Sequence, residues 1–173
     1  LLLAVGSERY TPYNPTKQPQ ELLTIANHIL GTGQMSLAKY LFICDEENSP
    51  DVNNEKEYFT HFLERVNWKR DLHFQTKTTI DTLDYSGDGL NEGSKVVIAA
   101  AGKVKRTLTE IEPNIELPIG FSNPQLVSNG NLVVEGKGEM KDLIYSLEKQ
   151  SLEGIALITL VDDASFVSEN FSN

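Results

Sequence analysis

A chain of 173 residues with 39% hydrophobic and 23% charged residues has apolar matter enough for one compact domain and too little length for two ordinary ones. Its formal net charge of -10 opposes nonspecific attraction to nucleic acid or anionic lipid, so neither is expected as a partner. The one cysteine, Cys44, excludes an intramolecular disulfide and a multi-thiolate zinc site.

In chain order, Leu1-Leu-Leu-Ala-Val5 is apolar but five residues long. It lacks a basic lead and a cleavage pattern, so it reads as neither signal peptide nor spanning helix, and a cytoplasmic origin without stable membrane insertion fits. Asn14 to Gln20 leads into a helix, with Pro19 suited to its first turn, Leu22, Ala26, Ile29 and Leu30 on one face, and Gly31 at its end. Leu41-Phe-Ile-Cys44 is a short apolar run of the kind found in covered strands, and Cys44 reads as a small buried hydrophobe on it. The acidic turn Asp45-Glu-Glu47 follows. A second helix is expected from about Asn54 to Val66, where Tyr58, Phe59, Phe62, Leu63 and Val66 repeat with a 3.6-residue period.

Asp71 to Thr76 and Lys95 to Ala100 read as strands, joined through a polar, glycine-bearing segment. Thr107 to Asn129 carries proline, asparagine and glutamate without clear period and reads mostly as loop. Asn131 to Glu135 is expected as strand. Glu139 to Gln150 is expected as helix with Met140, Leu143, Ile144 and Leu147 inward, and Ile155 to Val161 as strand. That βαβ order predicts parallel pairing. The whole reads as an α/β fold: a mixed, largely parallel sheet flanked by helices in a single domain, with residues 1–35 as a linker segment and helix and 36–173 as the domain, cut short at its end. Leu1 inside an apolar run, and a polar stretch after Val161 that offers helix-capping residues and stops, read as marks of a fragment.

Leu41-Phe-Ile-Cys-Asp-Glu-Glu47 and Leu157-Ile-Thr-Leu-Val-Asp-Asp163 echo one another, each running an apolar strand into acidic residues. They are either equivalent β-to-α turns of one sheet or the ordinary product of α/β construction.

Few motifs in the chain carry chemistry. Gly31-Thr-Gly33 and Gly136-Lys-Gly138 lack the remaining parts of a phosphate loop and read as turns. Asp84 to Gly89 imitates the start of a calcium loop, but its twelfth position is Lys95 where a carboxylate belongs. His28, His61 and His73 have no metal-ligand spacing, and Ser36, Ser94 and Ser151 have no elbow glycines. Asp45, Glu46, Glu47, Asp162 and Asp163 stand where β-to-α loops leave a sheet, which is where such sheets place ligands. Helix-terminus complementarity and solubility explain them as well. Lys95, beside Gly93 and Ser94, puts one cation among small residues at a loop-to-strand junction, where backbone amides plus an ammonium suit a phosphate, although a lysine at a strand start is commonplace without any ligand.

Arg70-Asp-Leu-His-Phe-Gln-Thr-Lys-Thr-Thr-Ile-Asp-Thr-Leu-Asp-Tyr-Ser86, followed by Gly93-Ser-Lys-Val-Val-Ile-Ala-Ala100, resembles the C-terminal domain of UbiD-family decarboxylases. The likeness covers about the first hundred residues, and Gln20 to Gly31 with Ser36 to Tyr40 resembles the linker helix and first strand of that domain. It implies a carboxy-lyase acting on an aromatic or α,β-unsaturated acid, in some relatives in quinone biosynthesis, with prenylated FMN, manganese and potassium. The family's catalytic glutamate-arginine-glutamate set lies upstream, so no catalytic residue is assigned here; Ser7-Glu-Arg9 and Glu64-Arg65 stand outside that context. What the resemblance implies for this chain is active-site covering and homo-oligomer contacts with the remainder of its own parent chain, little or no activity alone, and Lys95 as the candidate for the flavin phosphate. Ala99-Ala-Ala-Gly-Lys103 departs from the family's usual continuation. A non-catalytic α/β interaction or oligomerisation module is the other reading.

Overall fold

The computed structural model describes residues 1–7, 18–84, 87 and 89–162. The chain divides into two compact units, Leu1–Lys105 and Arg106–Asn173. Both are α/β.

In the first unit β1 (Leu2–Gly6), β2 (Tyr40–Asp45), β3 (Leu72–Thr79) and β4 (Glu92–Ala100) form one sheet in the order β1-β2-β4-β3. The pairs β1–β2 and β2–β4 are parallel and β3 runs antiparallel on the flank of β4. β1 was not expected as a strand from its five apolar residues alone. Alternation then decides which side chains meet which helix. α1 (Pro19–Leu30) lays Leu22, Ala26 and Leu30 on Leu41 and Ile43 of β2 and on Val97 and Ala99 of β4. Pro19 occupies its first turn, and the N–H of Gly31 takes up carbonyls of its last. The intervening residues of β2 face α2 (Glu55–Arg65), where Phe42 meets Phe62 edge-on with ring centroids 5.1 Å apart.

The start of α2 is set by Asn54, whose side-chain oxygen accepts the N–H of Glu57 at 3.2 Å. Tyr58 is fully buried, and its hydroxyl lies 2.8 Å from the carbonyl oxygens of both Ala4 and Phe42, one on each of two adjacent strands. At the other end of the helix the main-chain N–H of Lys105 donates to Glu64 at 2.8 Å, and the Lys105 ammonium donates to the Arg65 carbonyl and, at 3.3 Å, to that of Ala101. A cation on the Arg65 carbonyl complements the negative end of the helix, and the Ala101 carbonyl ties the same ammonium to the chain just after β4. The Arg-Asp-Leu motif also has a structural cause. Asp71 is fully buried, accepts the N–H of Asn67 at 2.8 Å and the Arg70 Nε–H at 2.6 Å, and so pins the turn that enters β3.

The second unit holds β5 (Phe121–Ser128), β6 (Asn131–Gly136), α3 (Met140–Leu147) and β7 (Leu157–Val161). β5 pairs antiparallel with β6, and β6 pairs parallel with β7, as the βαβ order predicts. β5 lies inside the stretch expected to be loop. Its pairing is interrupted between Ser122 and Gln125, where Asn123 takes φ 48° and Pro124 has no N–H to give, so the strand signal breaks where the ladder breaks. α3 also differs from expectation: Leu143 and Leu147 are buried, but Met140 and Ile144 are each 50% exposed. Leu143 and Leu147 pack with Leu132, Val134, Ile158 and Leu160. A three-stranded sheet gives the helix a narrower surface to cover than its apolar stripe offers.

The two acidic turns that echo one another leave different sheets, not one. Asp45 ends β2 and Asp162 follows β7.

Candidate functional site

The carboxyl ends of parallel strands are the first places to look in such units. In the first unit Gly6 stands opposite Asp45, and the N–H of Glu46 donates to the Gly6 carbonyl at 3.1 Å. The Asp45 carboxylate accepts the N–H of Glu47 at 3.1 Å, so one of its oxygens is spent on its own turn. Behind this end, burial first and the Arg65 charge second push the His61 pKa down, which keeps the imidazole neutral at pH 7. Arg65 itself donates to Glu64 at 2.7 Å and to the His61 carbonyl at 2.9 Å. Burial pushes the Cys44 thiol up to about 11. A neutral thiol, a neutral imidazole and a paired guanidinium make no nucleophile-and-base set here.

In the second unit an open cleft of about 480 Å³ lies at the carboxyl ends of β6 and β7, lined by Gly120, Phe121, Glu135, Gly136, Lys137 and Asp162. The N–H of Lys137 donates to the Gly120 carbonyl at 3.1 Å, so Gly136-Lys-Gly138 is a turn whose amide is already used. A Cβ on Gly136 would lie 2.4 Å from that same carbonyl oxygen, which explains the glycine without a ligand. Gly31, likewise, closes α1.

Lys95 lies inside β4, opposite Gln75, rather than at a loop-to-strand junction. It is 5% exposed, and its ammonium donates to the Ser36 carbonyl in the 3₁₀ turn Gly33–Leu37. Burial lowers its pKa. Met35 and Leu37, on either side of Ser36, line an open cleft of about 440 Å³ at the amino ends of the parallel strands, with Leu2, Gln34 and the Lys39–Asp84 ion pair at 3.0 Å. Ser36 donates its hydroxyl to Gly33 at 2.7 Å and is no nucleophile.

His28 is exposed on α1. His73, on β3, has a buried Nε2 without a hydrogen-bond partner among the described residues. No sequence pattern marks that atom. Among the described residues no group of three or more His, Cys, Asp or Glu side chains converges as metal ligands. Tyr85, Ser86 and Asp88 of the calcium-loop imitation, Glu8 and Arg9, and Asp163 lie outside the described residues. No helix among the described residues is long and apolar enough to cross a membrane.

The family model for the 3-octaprenyl-4-hydroxybenzoate carboxy-lyase C-terminal domain matches residues 1–100. An uncharacterized protein of Chlamydia trachomatis is 36% identical over 165 residues, which cover 95% of this chain and 27% of the relative. A protein of Chlamydia pneumoniae named as a subunit of 4-hydroxybenzoate decarboxylase is 33% identical over 171 residues, covering 94% of this chain and 26% of the relative. The chain thus spans about a quarter of the length of these curated relatives. Among solved structures, the vanillic acid decarboxylase of Sedimentibacter hydroxybenzoicus aligns over 66% of this chain and 22% of its own with TM-score 0.46 and 20% identity. The UbiD-class enzyme HmfF from Pelotomaculum thermopropionicum, in complex with FMN, aligns over 60% of this chain and 21% of its own with TM-score 0.42 and 17% identity.

Proposed function

The chain belongs to the UbiD C-terminal domain family, and on that premise we propose that it is the covering and assembly part of a prenylated-FMN-dependent decarboxylase, inactive by itself. The substrate class is an aromatic or α,β-unsaturated carboxylic acid, in a reaction of the quinone-biosynthesis type. The observation that carries this is the coincidence of the family match, residues 1–100, with the first compact unit, Leu1–Lys105. The name of the Chlamydia pneumoniae relative supports the reaction class.

The prenylated flavin supplies the electron sink for carbon–carbon cleavage. The residues present suit a supporting part only. A desolvated ammonium whose one acceptor among the described residues is the neutral Ser36 carbonyl fits a phosphate oxygen in charge. It holds no ring system. Lys95 therefore acts as a phosphate-binding residue, exchanging or sharing the Ser36 carbonyl, while the reacting groups, with manganese and potassium, come from the rest of a longer parent chain. The covering surface excludes water from the reacting acid, which is how such a part raises turnover without a catalytic residue. The parent assembles as a homo-oligomer in the cytoplasm.

The test is a decarboxylation assay on the parent protein loaded with prenylated FMN, set beside its Lys95→Met variant. The reading expects carbon dioxide release from an aromatic or unsaturated acid by the parent, and weaker flavin retention with Lys95→Met. A parent that binds no flavin would overturn it.

A further inference from the structure

The two units share more than a class. In the first, α1 ends at Leu30 and β2 begins at Tyr40; in the second, α3 ends at Leu147 and β7 begins at Leu157, the same ten positions on. The last buried residues of each helix stand four apart, Ala26 and Leu30 in one, Leu143 and Leu147 in the other.

The ladders agree in phase as well. Leu2 pairs with Leu41 and Ala4 with Ile43, and all four pack under α1. Leu132 pairs with Ile158 and Val134 with Leu160, and all four pack under α3. Two residues further, Gly6 stands opposite Asp45 in the first unit; in the second the ladder closes one step earlier, at Glu135 opposite Val161, and the next residues, Gly136 and Asp162, both line one cleft. Generic α/β construction requires parallel strands and a crossover helix. It does not require one helix-to-strand spacing and one facing phase.

The first unit has a strand pairing without a counterpart among the described residues of the second. β2 is flanked on both edges, by β1 and by β4. Its counterpart β7 is flanked by β6 alone among the described residues. Yet β7 reads Leu-Ile-Thr-Leu-Val, half-buried throughout, a composition suited to a strand inside a sheet rather than to a charged or proline-blunted edge.

We propose that β6-α3-β7 of the second unit is the opening βαβ of a second copy of the first unit's fold, with β5 added on its outer flank, and that the outer edge of β7 receives a parallel, apolar strand of the β4 type. This rests on the reading that the chain is part of a longer parent, which supplies that strand. By the same correspondence, the face of β7 that carries Thr159 and Val161 takes a helix in the place of α2.

Backbone hydrogen exchange on Leu157–Val161 tests it, run on the 173-residue chain and on the full-length parent. In a strand paired on one side about half the amides lack a ladder partner and exchange fast. The expectation is that two or three fast amides in the chain slow at least about 100-fold in the parent, as in an interior strand. An unchanged pattern would overturn the proposal. Slowing that appears in the chain alone as its concentration rises would overturn it too, because the occupant would then be a second copy. Decarboxylation measured on the same parent sample reads the functional assignment separately. An inactive parent with a protected β7 sinks only that assignment, and an active parent with an open β7 sinks only this one.

Discussion

Replacing Tyr58 by phenylalanine removes one oxygen and leaves the ring in place. That oxygen is buried on α2 and lies 2.8 Å from carbonyls of β1 and β2. A hydroxyl has one proton, so the two carbonyls share it, and the loss amounts to one hydrogen bond plus a small unfilled volume. Burial raises the phenol's pKa, so no phenolate complicates the comparison at ordinary pH. A buried hydrogen bond of this kind contributes about 1–1.5 kcal/mol, rising to about 2 kcal/mol where the acceptors are left without a replacement. With a urea slope of about 2 kcal/mol/M, Tyr58→Phe lowers the unfolding midpoint by about 0.5–1 M at unchanged slope. The chain has a single tryptophan, Trp68, located between α2 and β3, so its fluorescence follows the first unit alone. A midpoint within 0.1 M of the wild-type value (an error of about 0.2 kcal/mol on that slope) would refute the claim that this hydroxyl ties β1 to β2.

Lys105→Met keeps the alkyl stem and removes the ammonium from the Arg65 and Ala101 carbonyls, and should cost about 1 kcal/mol in the same assay. Lys95→Met should stabilise the chain at pH 7. Burial holds the Lys95 pKa below its ordinary 10.5, so the unfolded chain binds the proton more tightly and wild-type stability rises with pH toward 10.5. The advantage of the variant therefore shrinks across that window, and paired urea melts at neutral and alkaline pH read it. Cys44, with its thiol pushed up to about 11, should resist aromatic disulfide reagents at pH 8 until urea opens the first unit; prompt stoichiometric labelling of the native chain would contradict its burial. Gly136→Ala places a methyl 2.4 Å from the Gly120 carbonyl oxygen, and a loss of about 2 kcal/mol from the second unit is expected by circular dichroism.

Helix periods and covered strands were legible because they are local. Pro19, Gly31 and Asn54 mark helix ends by their own backbone chemistry, and the structure places α1 and α2 where those residues put them. β5 escaped because its signal is interrupted at Asn123 and Pro124, the residues that also interrupt its pairing. The inward stripe of α3 was read too wide because period alone does not report how many strands lie beneath a helix. The site fared differently. Lys95 drew notice as a cation beside small residues, but that it would sit inside β4 on the Ser36 carbonyl depends on a contact 59 positions away in sequence. The orphan Nε2 of His73 and the shared proton of Tyr58 are equally products of tertiary placement. The echo between the two acidic turns was visible in the letters, whereas its meaning needed the registers of two separate sheets.

The most direct measurement is made on the purified 173-residue chain incubated with prenylated FMN and an aromatic or unsaturated acid: flavin absorbance retained after gel filtration, and carbon dioxide released. The account predicts neither, with both restored when the same residues are present in the full-length parent. Retained flavin together with carbon dioxide release from the short chain would place the chemistry inside these residues and contradict it.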